Sequence, residues 1–258
     1  MRQVAVGGGT LPVETLGADD APPLILLHGW TLDRRMWRPQ LALAAHFRLI
    51  APDRRGFGAA TAPADLGAEP DDVLRIADAA GLERFALVGM SQGGKVALAA
   101  AARAGSRVTG IVLVGTALDG VDAPGEHVPF AAMATAALRG TLSEMRAAWA
   151  DHPLTRLHAD GADQAGDVAA MLADYDGRDL VHGAGRLEVT ASIMARISAP
   201  VLALVGQGDT PHRHANARAL SRLGAACRSV PGAGHLCNID QPSVCNTEIR
   251  NWISQACR

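Results

Sequence analysis

The chain has few aromatic residues and almost no lysine. Four Phe, four Trp and one Tyr make up only 3% of its 258 residues, and Lys95 is the one lysine among 24 basic residues. A chain rich in Ala, Arg and Gly but poor in Lys is typical of a GC-rich genome, so we interpret both deficits as a signature of nucleotide composition. The scarcity of aromatics still bears on function, because small-molecule pockets are lined mainly by hydrophobic and aromatic side chains.

Long apolar segments and an excess of one charge are also missing. No apolar run approaches the ~18 residues of a membrane-spanning helix, and residues 1–9 lack the apolar stretch of a signal peptide. The formal net charge of −2 argues against the basic face of a nucleic-acid-binding protein. We therefore expect a cytoplasmic globular protein that binds neither membranes nor nucleic acid and is long enough for a large core. The sequence leaves its oligomeric state open.

Motifs for metal binding are absent as well. Near Asp209, His212 and His214 have no supporting cysteine or carboxylate pattern, so we interpret them as residues of a solvated loop. None of the cysteines forms a C-x-x-C pair, and all four fall near the end of the chain: Cys227, Cys237, Cys245 and Cys257. We expect free buried thiols, with no metal and no cofactor.

Short apolar runs alternate with Ala- and Leu-rich amphipathic stretches along most of the chain. After a hairpin expected over residues 1–16, strands are predicted at 24–27, 47–51, 85–88, 108–114, 201–205 and 226–230. Helices are predicted at 34–45, 71–80, 92–104, 214–223 and 241–256. This alternation predicts an α/β fold with a mostly parallel central sheet flanked by helices.

Residues 119–197 interrupt the alternation. They contain helical patches at 129–138, 142–149 and 167–173, but no convincing strand. We interpret this region as a helical cap insertion over the sheet. The core domain then consists of residues 1–118 and 198–258.

A serine motif lies between a predicted strand and a predicted helix. Residues 89–93 read Gly-Met-Ser-Gln-Gly and match G-x-S-x-G. In this context the motif predicts a nucleophile elbow, a sharp turn that exposes the serine hydroxyl above the sheet. Small flanking residues tolerate the strained backbone, and the Gln92 N–H at the helix N-terminus favours developing negative charge. Ser91 is therefore the candidate nucleophile.

A serine hydroxyl needs a base, and the base needs a carboxylate that fixes its tautomer. His235 lies in a glycine-rich loop before the last predicted helix, and Asp209 follows the strand predicted at 201–205. Each candidate comes just after a strand, so the three side chains are expected to meet at the carboxyl edge of the sheet. Asp119 is an alternative acid, or else a helix N-cap or turn residue.

The chain resembles the α/β-hydrolase fold family over nearly its whole length. The order serine, acid, histidine is that of the family, and residues 28–30, His-Gly-Trp, resemble its oxyanion motif. Residues 53–58, Asp-Arg-Arg-Gly-Phe-Gly, resemble its D-x-x-G-x-G loop, although Ala59 replaces a common serine. The resemblance implies that the backbone N–H groups of Trp30 and Gln92 form an oxyanion hole. It also implies that His28 holds the oxyanion loop by hydrogen bonds.

Within the family the motifs are similar to those of enol-lactonases, small carboxylesterases and non-haem haloperoxidase-like hydrolases. A serine nucleophile disfavours epoxide hydrolases and haloalkane dehalogenases, which use aspartate. The resemblance implies a serine hydrolase that cleaves a small ester or lactone through an acyl-enzyme intermediate. Open alternatives are acyl transfer, cofactor-free proton abstraction by the histidine–acid pair as in dioxygenases or lyases, and a non-enzymatic receptor for a small molecule.

Four of the nine aromatic residues are expected near Ser91. Trp30 lies in the oxyanion motif, and Phe57, Phe130 and Trp149 are candidate substrate-binding residues. The Ala-, Leu- and Met-rich remainder of the insertion predicts an aliphatic cover, which suits a small, moderately apolar acyl group. We interpret Lys95, on the helix after Ser91, as a surface residue whose stem covers apolar neighbours.

Overall fold

An eight-stranded sheet forms the centre of the protein. The structure is a computed structural model that describes residues 1–124, 126–158 and 162–256. The strands are β1 (Arg2–Val6), β2 (Gly9–Leu16), β3 (Pro23–Leu27), β4 (Arg48–Pro52), β5 (Phe85–Met90), β6 (Val108–Val114), β7 (Val201–Gly206) and β8 (Ala226–Val230). Their order across the sheet is β1-β2-β4-β3-β5-β6-β7-β8.

Helices cover both faces of this sheet. The α-helices are α1 (Glu69–Ala79), α2 (Gln92–Ala104), α3 (Phe130–Arg139), α4 (Leu142–Ala150), α5 (Ala162–Asp174), α6 (Arg178–His182), α7 (Pro211–Arg222), α8 (Cys237–Asp240) and α9 (Pro242–Ala256). Segments of 3-10 helix occupy Arg34–Ala45, Gly105–Arg107 and Ala191–Arg196.

The direction of the strands places the candidate site. The pairs β1–β2 and β2–β4 are antiparallel, whereas every later pair is parallel. From β3 the chain passes to β4 on one side and then returns to β5 on the other. Such a switch point opens a crevice at the carboxyl ends of the strands, where open α/β sheets bind ligands. The predicted α/β class with a mostly parallel sheet and flanking helices is confirmed.

The strands are buried on both faces, and successive residues point to opposite sides. In β3, Leu24 and Leu26 join one hydrophobic cluster, while Ile25 and Leu27 join the cluster on the other face. The helices α1 and α2 cover the second face. The first face also receives apolar side chains from α3 to α5, so the sheet and these helices share one continuous core.

Several predicted elements differ in detail from the structure. The segment Arg34–Ala45 is 3-10 helical instead of α-helical, and it contains Pro39, which cannot donate the hydrogen bond of a regular α-helix. The last predicted helix, 241–256, begins at Pro242, and the short helix α8 before it was not predicted. The short helix α6 and the 3-10 segment Ala191–Arg196 were not predicted.

Between β6 and β7 the described residues form helices and no strand. The division into a core and a cap remains a prediction. The described cysteines, Cys227, Cys237 and Cys245, are free thiols, and Cys257 lies outside the described residues. No helix within the described ranges combines the length and apolarity that crossing a bilayer requires.

Candidate active site

Ser91 stands on a strained turn between β5 and α2. Its φ of 50° and ψ of −113° lie in a region that residues other than glycine rarely adopt. A Cβ atom on Gly93 would lie 2.3 Å from the carbonyl oxygen of Leu27, and one on Gly89 would lie 2.5 Å from that of Gly93. A side chain at Gly93 would push α2 away from β3, and one at Gly89 would push it away from β5. The structure thus contains the predicted strand–serine–helix turn.

His235 and Asp209 meet beside this turn. Nδ1 of His235 lies 3.0 Å from Oδ2 of Asp209, and both side chains are buried. The other oxygen of Asp209 accepts a 2.7 Å hydrogen bond from the Thr210 N–H. Because a carboxylate only accepts, the pair fixes the tautomer in which Nδ1 carries the proton and Nε2 is the base. This Nε2 atom is buried and has no hydrogen-bond partner within the described part of the chain.

The imidazole of His235 packs against Gly115, directly after β6. A Cβ atom on Gly115 would lie 2.7 Å from Cε1 of His235, and the glycine has a φ of 56°. Nη1 of Arg213 donates a 2.8 Å hydrogen bond to the Gly115 carbonyl oxygen. Among the described residues Ser91 and His235 are not hydrogen-bonded, and such bonds often tighten only when substrate binds.

Asp119, the alternative acid, has other partners. Its carboxylate lies 2.7 Å from Nζ of Lys95 and accepts a 2.6 Å hydrogen bond from the Val189 N–H. The geometry therefore brings Asp209, and not Asp119, to His235. His214 instead lies 3.3 Å from the Gln207 carbonyl oxygen, and no cluster of three potential metal ligands occurs among the residues described.

His28 links the loop after β3 to the loop after β4. Its Nδ1 donates to the Gly29 carbonyl oxygen at 2.8 Å, and its Nε2 accepts from the Arg54 N–H at 2.9 Å. Burial, together with the Arg54 charge, lowers the pKa of His28 to about 3, so the ring is neutral. The Arg54 guanidinium pairs with buried Glu69 and also donates to Oε1 of Gln92 at 2.8 Å. His28 is therefore a structural anchor, as the resemblance implied.

The two expected oxyanion donors border the same space. The backbone N–H groups of Trp30 and Gln92 donate to no other described residue, and Trp30, Ser91 and Gln92 all line one cavity. Beside them Thr31 has a φ of 64°, and its Oγ1 accepts a 2.9 Å hydrogen bond from Nε1 of Trp149. Both non-glycine residues with positive φ in the described chain, Thr31 and Ser91, thus flank the site.

The cavity above Ser91 has a volume of about 570 Å3. Of the predicted aromatic residues, Trp30 and Phe130 line it. Neither Phe57 nor Trp149 is among the residues that line this cavity, and their assignment as substrate-binding residues stays a prediction. Phe57 is buried against His28 and Arg54, and Trp149 is buried against Trp30.

Charged residues line this cavity, which corrects the expectation of an aliphatic cover. Lys95 and Asp119 form one ion pair on its wall, and Arg213 and Glu126 form another. Hydrogen bonds and the charge of Arg213 outweigh burial and lower the pKa of Glu126. Lys95 is therefore a cavity residue and not only a surface lysine.

Sequence reasoning did not identify Glu126, Arg213 or Asp179. Glu126 and Arg213 are 87 residues apart in the chain, and Asp179 is 149 residues from its partner Trp30. No spacing rule links residues so distant, so no signal in one sequence predicts these pairs.

Comparisons with known proteins agree with this architecture. A family model described as alpha/beta hydrolase fold matches residues 22–242. The curated haloalkane dehalogenase 2 of Mycobacterium bovis is 35% identical over 100 residues, which cover 37% of this chain and only 35% of that protein. The 3-oxoadipate enol-lactonase 1 of Acinetobacter baylyi is 29% identical over 256 residues, with 91% of this chain and 90% of that protein covered.

A solved structure is similar over almost the full chain. The malate-bound thermophilic esterase of Thermogutta terrifontis has a TM-score of 0.79 and 26% identity, with 98% of this chain and 97% of that chain covered. The family model alone spans most of the 258 residues. The chain belongs to the alpha/beta hydrolase fold family.

Proposed function

We propose that the chain is a serine hydrolase that cleaves a small ester or lactone through an acyl-enzyme intermediate on Ser91. The observation that carries this proposal is the strained Ser91 turn beside a buried His235–Asp209 pair, whose Nε2 atom has no described partner. The similarity to an enol-lactonase and to an esterase supports the same chemistry. The fold by itself hosts many reactions, so the proposal rests on the site.

In the acylation step, Oγ of Ser91 attacks the carbonyl carbon while its proton passes to Nε2 of His235. Asp209 stabilises the resulting imidazolium, and the N–H groups of Trp30 and Gln92 donate to the oxyanion. The ester C–O bond then breaks, and His235 gives the proton to the leaving alkoxide. In a lactone this alkoxide stays attached to the acyl chain.

Water completes the cycle. His235 takes a proton from the attacking water, the acyl C–O bond to Ser91 breaks, and the serine recovers its proton from the imidazolium. These steps require only side chains and backbone groups of the chain, so the proposed reaction needs no metal or cofactor. The expected partner is a small-molecule substrate.

The cavity supports a small substrate with both apolar and polar parts. Its volume of about 570 Å3 lies within the range of small-molecule pockets. Trp30 and Phe130 offer aromatic surface, while the Lys95–Asp119 pair offers hydrogen-bonding groups on the wall. We propose that residues 119–197, which contribute Phe130, act as a cap that determines the choice of acyl group.

Replacement of the nucleophile tests this function. We expect Ser91→Ala to lose at least ~1,000-fold of kcat on p-nitrophenyl acetate, whereas Ser221→Ala, an exposed serine on α7, keeps its activity. A fluorophosphonate probe followed by mass spectrometry should label Ser91. A panel of lactones, short acyl esters and thioesters then ranks the substrates. Turnover that survives Ser91→Ala, without a labelled serine, would instead favour proton abstraction by His235 and Asp209.

A further inference from the structure

Asp179 is a buried carboxylate close to the oxyanion loop. It is 3% exposed. Its Oδ2 accepts a 2.7 Å hydrogen bond from Nε1 of Trp30, and its Oδ1 accepts one of 2.7 Å from Oη of Tyr175. Both donors are neutral, and burial raises the pKa of Asp179 although the hydrogen bonds oppose this. A buried carboxylate held by neutral donors is costly, so stability alone does not account for an acid here.

The anchoring of α6 does not explain the buried carboxylate at position 179 either. The neighbouring Arg178 already ties this helix to the loop after β4. Its Nε donates to the Gly56 carbonyl oxygen at 2.9 Å, and its Nη2 donates to that of Gly58 at 3.1 Å. Asp179 instead accepts its hydrogen bond from Trp30, a residue of the site.

Trp30 donates this hydrogen bond and faces the cavity. Its ring packs 5.0 Å from the Phe130 ring and 5.1 Å from the Trp149 ring, measured between centroids. Its N–H belongs to the peptide unit whose carbonyl, that of Gly29, accepts from His28. Because the peptide is planar and trans, the N–H points away from this anchored carbonyl. The orientation of one peptide plane thus sets the direction of the oxyanion donor.

The chain directly after Trp30 is strained. Thr31 is β-branched and has a φ of 64°, which is rare for such a residue. Its Oγ1 donates to the Trp30 carbonyl oxygen at 2.6 Å, so the hydroxyl fixes the following peptide. Hydrogen bonds and strain therefore hold the backbone of Trp30, and the hydrogen bond that its indole donates to Asp179 holds its side chain.

We propose that Asp179 is a positioning residue: through the Trp30 indole it holds the oxyanion N–H and the aromatic wall of the Ser91 cavity in place. This inference rests on the proposed function. According to this inference, the region between β6 and β7 helps to set the rate of the reaction and also covers the site. Its effect on the rate passes through Trp30.

Kinetics of matched variants test this role. Losing a whole oxyanion donor typically costs about 100- to 1,000-fold in kcat, so we expect displacement of the donor in Asp179→Leu to cost roughly 10-fold on p-nitrophenyl acetate. Asp179→Asn should regain most of this loss, because its amide oxygen still accepts from Nε1. Asp176→Asn is the control, since this nearby carboxylate is half exposed and both its ion pair and its hydrogen bond among the described residues are with Arg178. A merely structural role would lower thermal stability in Asp179→Leu but leave kcat of the folded protein unchanged.

A double-mutant cycle tests whether Trp30 carries the effect. We expect Trp30→Phe, which removes the indole donor, to lower kcat by roughly the same factor, and Asp179→Leu to add little in that background. Independently of activity, the Trp30 indole N–H resonance, assigned by its loss in Trp30→Phe, should move upfield in Asp179→Leu. Full kcat in Trp30→Phe, or independent losses that multiply in the double variant, would overturn the inference. Turnover that persists in Ser91→Ala would instead identify a failure of the proposed function.

Discussion

Asp209 and Asp119 both follow strands of the sheet, yet their partners separate their roles. Asp209 lies 3.0 Å from Nδ1 of His235, whereas Asp119 lies 2.7 Å from the Lys95 ammonium. An asparagine at position 209 can offer its amide N–H to Nδ1, which favours the tautomer in which Nε2 carries the proton. Such a ring can no longer accept the proton of Ser91.

We therefore expect Asp209→Asn to lower kcat on p-nitrophenyl acetate by about 10,000-fold. Asp119→Asn keeps one oxygen that can accept from Lys95 and the Val189 N–H but loses the charge of the ion pair, so we expect kcat to change by less than about tenfold. Steady-state kinetics of the two variants, made and purified in parallel, check this. Equal losses, or the larger loss in Asp119→Asn, would contradict the assignment of the acid.

His28 predicts a pH dependence of stability. Its pKa falls from 6.5 to about 3 on folding, because burial and the Arg54 charge disfavour the imidazolium. Below pH 6.5 the unfolded chain binds a proton that the folded protein excludes until about pH 3. The contribution of His28 to the free energy of unfolding is therefore fully present above pH 6.5 and is lost as the pH falls toward 3.

We expect His28→Gln to weaken this dependence, because its side-chain oxygen can still accept from the Arg54 N–H but does not titrate. Between pH 6.5 and 5.0 the wild type should lose up to about 1.4 kcal/mol per pH unit more than the variant. Urea unfolding at several pH values measures the difference. Parallel losses in both proteins would show that another group is responsible.

Residues in local motifs could be identified from the sequence, whereas long-range pairs could not. Ser91, Asp209 and His235 each lie in a short loop directly after a strand, so the sequence around each one predicts its place at the sheet edge. The hydrogen bond between Trp30 and Asp179 depends on how helices pack over the sheet. No local pattern encodes that packing, and this is also why the sequence did not show that Phe57 and Trp149 lie outside the lining of the cavity.

At the level of elements, the contact between α2 and β6 depends on Gly94. A Cβ atom there would lie 1.9 Å from Oγ1 and 2.8 Å from Cγ2 of Thr116, which follows β6. The helix that carries the Ser91 turn can approach the sheet this closely only because position 94 has no side chain. Two glycines in succession after Gln92 are thus a packing requirement of the turn.

We expect Gly94→Ala to lower the free energy of unfolding by about 1–3 kcal/mol, as overpacking typically does. Thr116→Ala removes the two nearest atoms, so the double variant should regain part of this loss. Thr116→Ala alone serves as the control, because its buried Oγ1 has no hydrogen-bond partner among the described residues. Chemical denaturation gives the free energy of unfolding of all three variants. A double variant no more stable than Gly94→Ala would show that Thr116 is not the source of the clash.

Helices and strands, like single residues, could be predicted from the sequence where a local pattern determines them. The central strands were predicted because buried parallel strands are continuous apolar runs bounded by Gly and Pro. The segment Arg34–Ala45 has a helical spacing of apolar residues, yet Pro39 prevents a regular α-helix. Helix α6 has only five residues, too few to show a periodic pattern.

For the whole molecule, one core joins the sheet to the helices between β6 and β7. Three methionines from those helices belong to the same buried cluster as Leu49 of β4 and Trp37 of the segment Arg34–Ala45: Met133, Met145 and Met171. Elements that share a continuous core lose their packing together when either part unfolds. The structure therefore predicts a single cooperative transition, even though the sequence divides the chain into core and insertion.

Fluorine NMR of protein labelled with 5-fluorotryptophan can test this cooperativity, because all four tryptophans border the shared cluster. Trp149 reports on α4, Trp30 on the loop after β3, and Trp37 and Trp252 on the helical segments packed against the sheet. We expect the four native signals to disappear at one urea midpoint, and Met171→Ala to lower that midpoint for all four alike, since this buried side chain belongs to the common core. Loss of the Trp149 signal at lower urea than the Trp252 signal would mean that residues 119–197 unfold on their own. In that case the cap would be an independent domain, and the packing of its methionines would contribute little to the stability of the sheet.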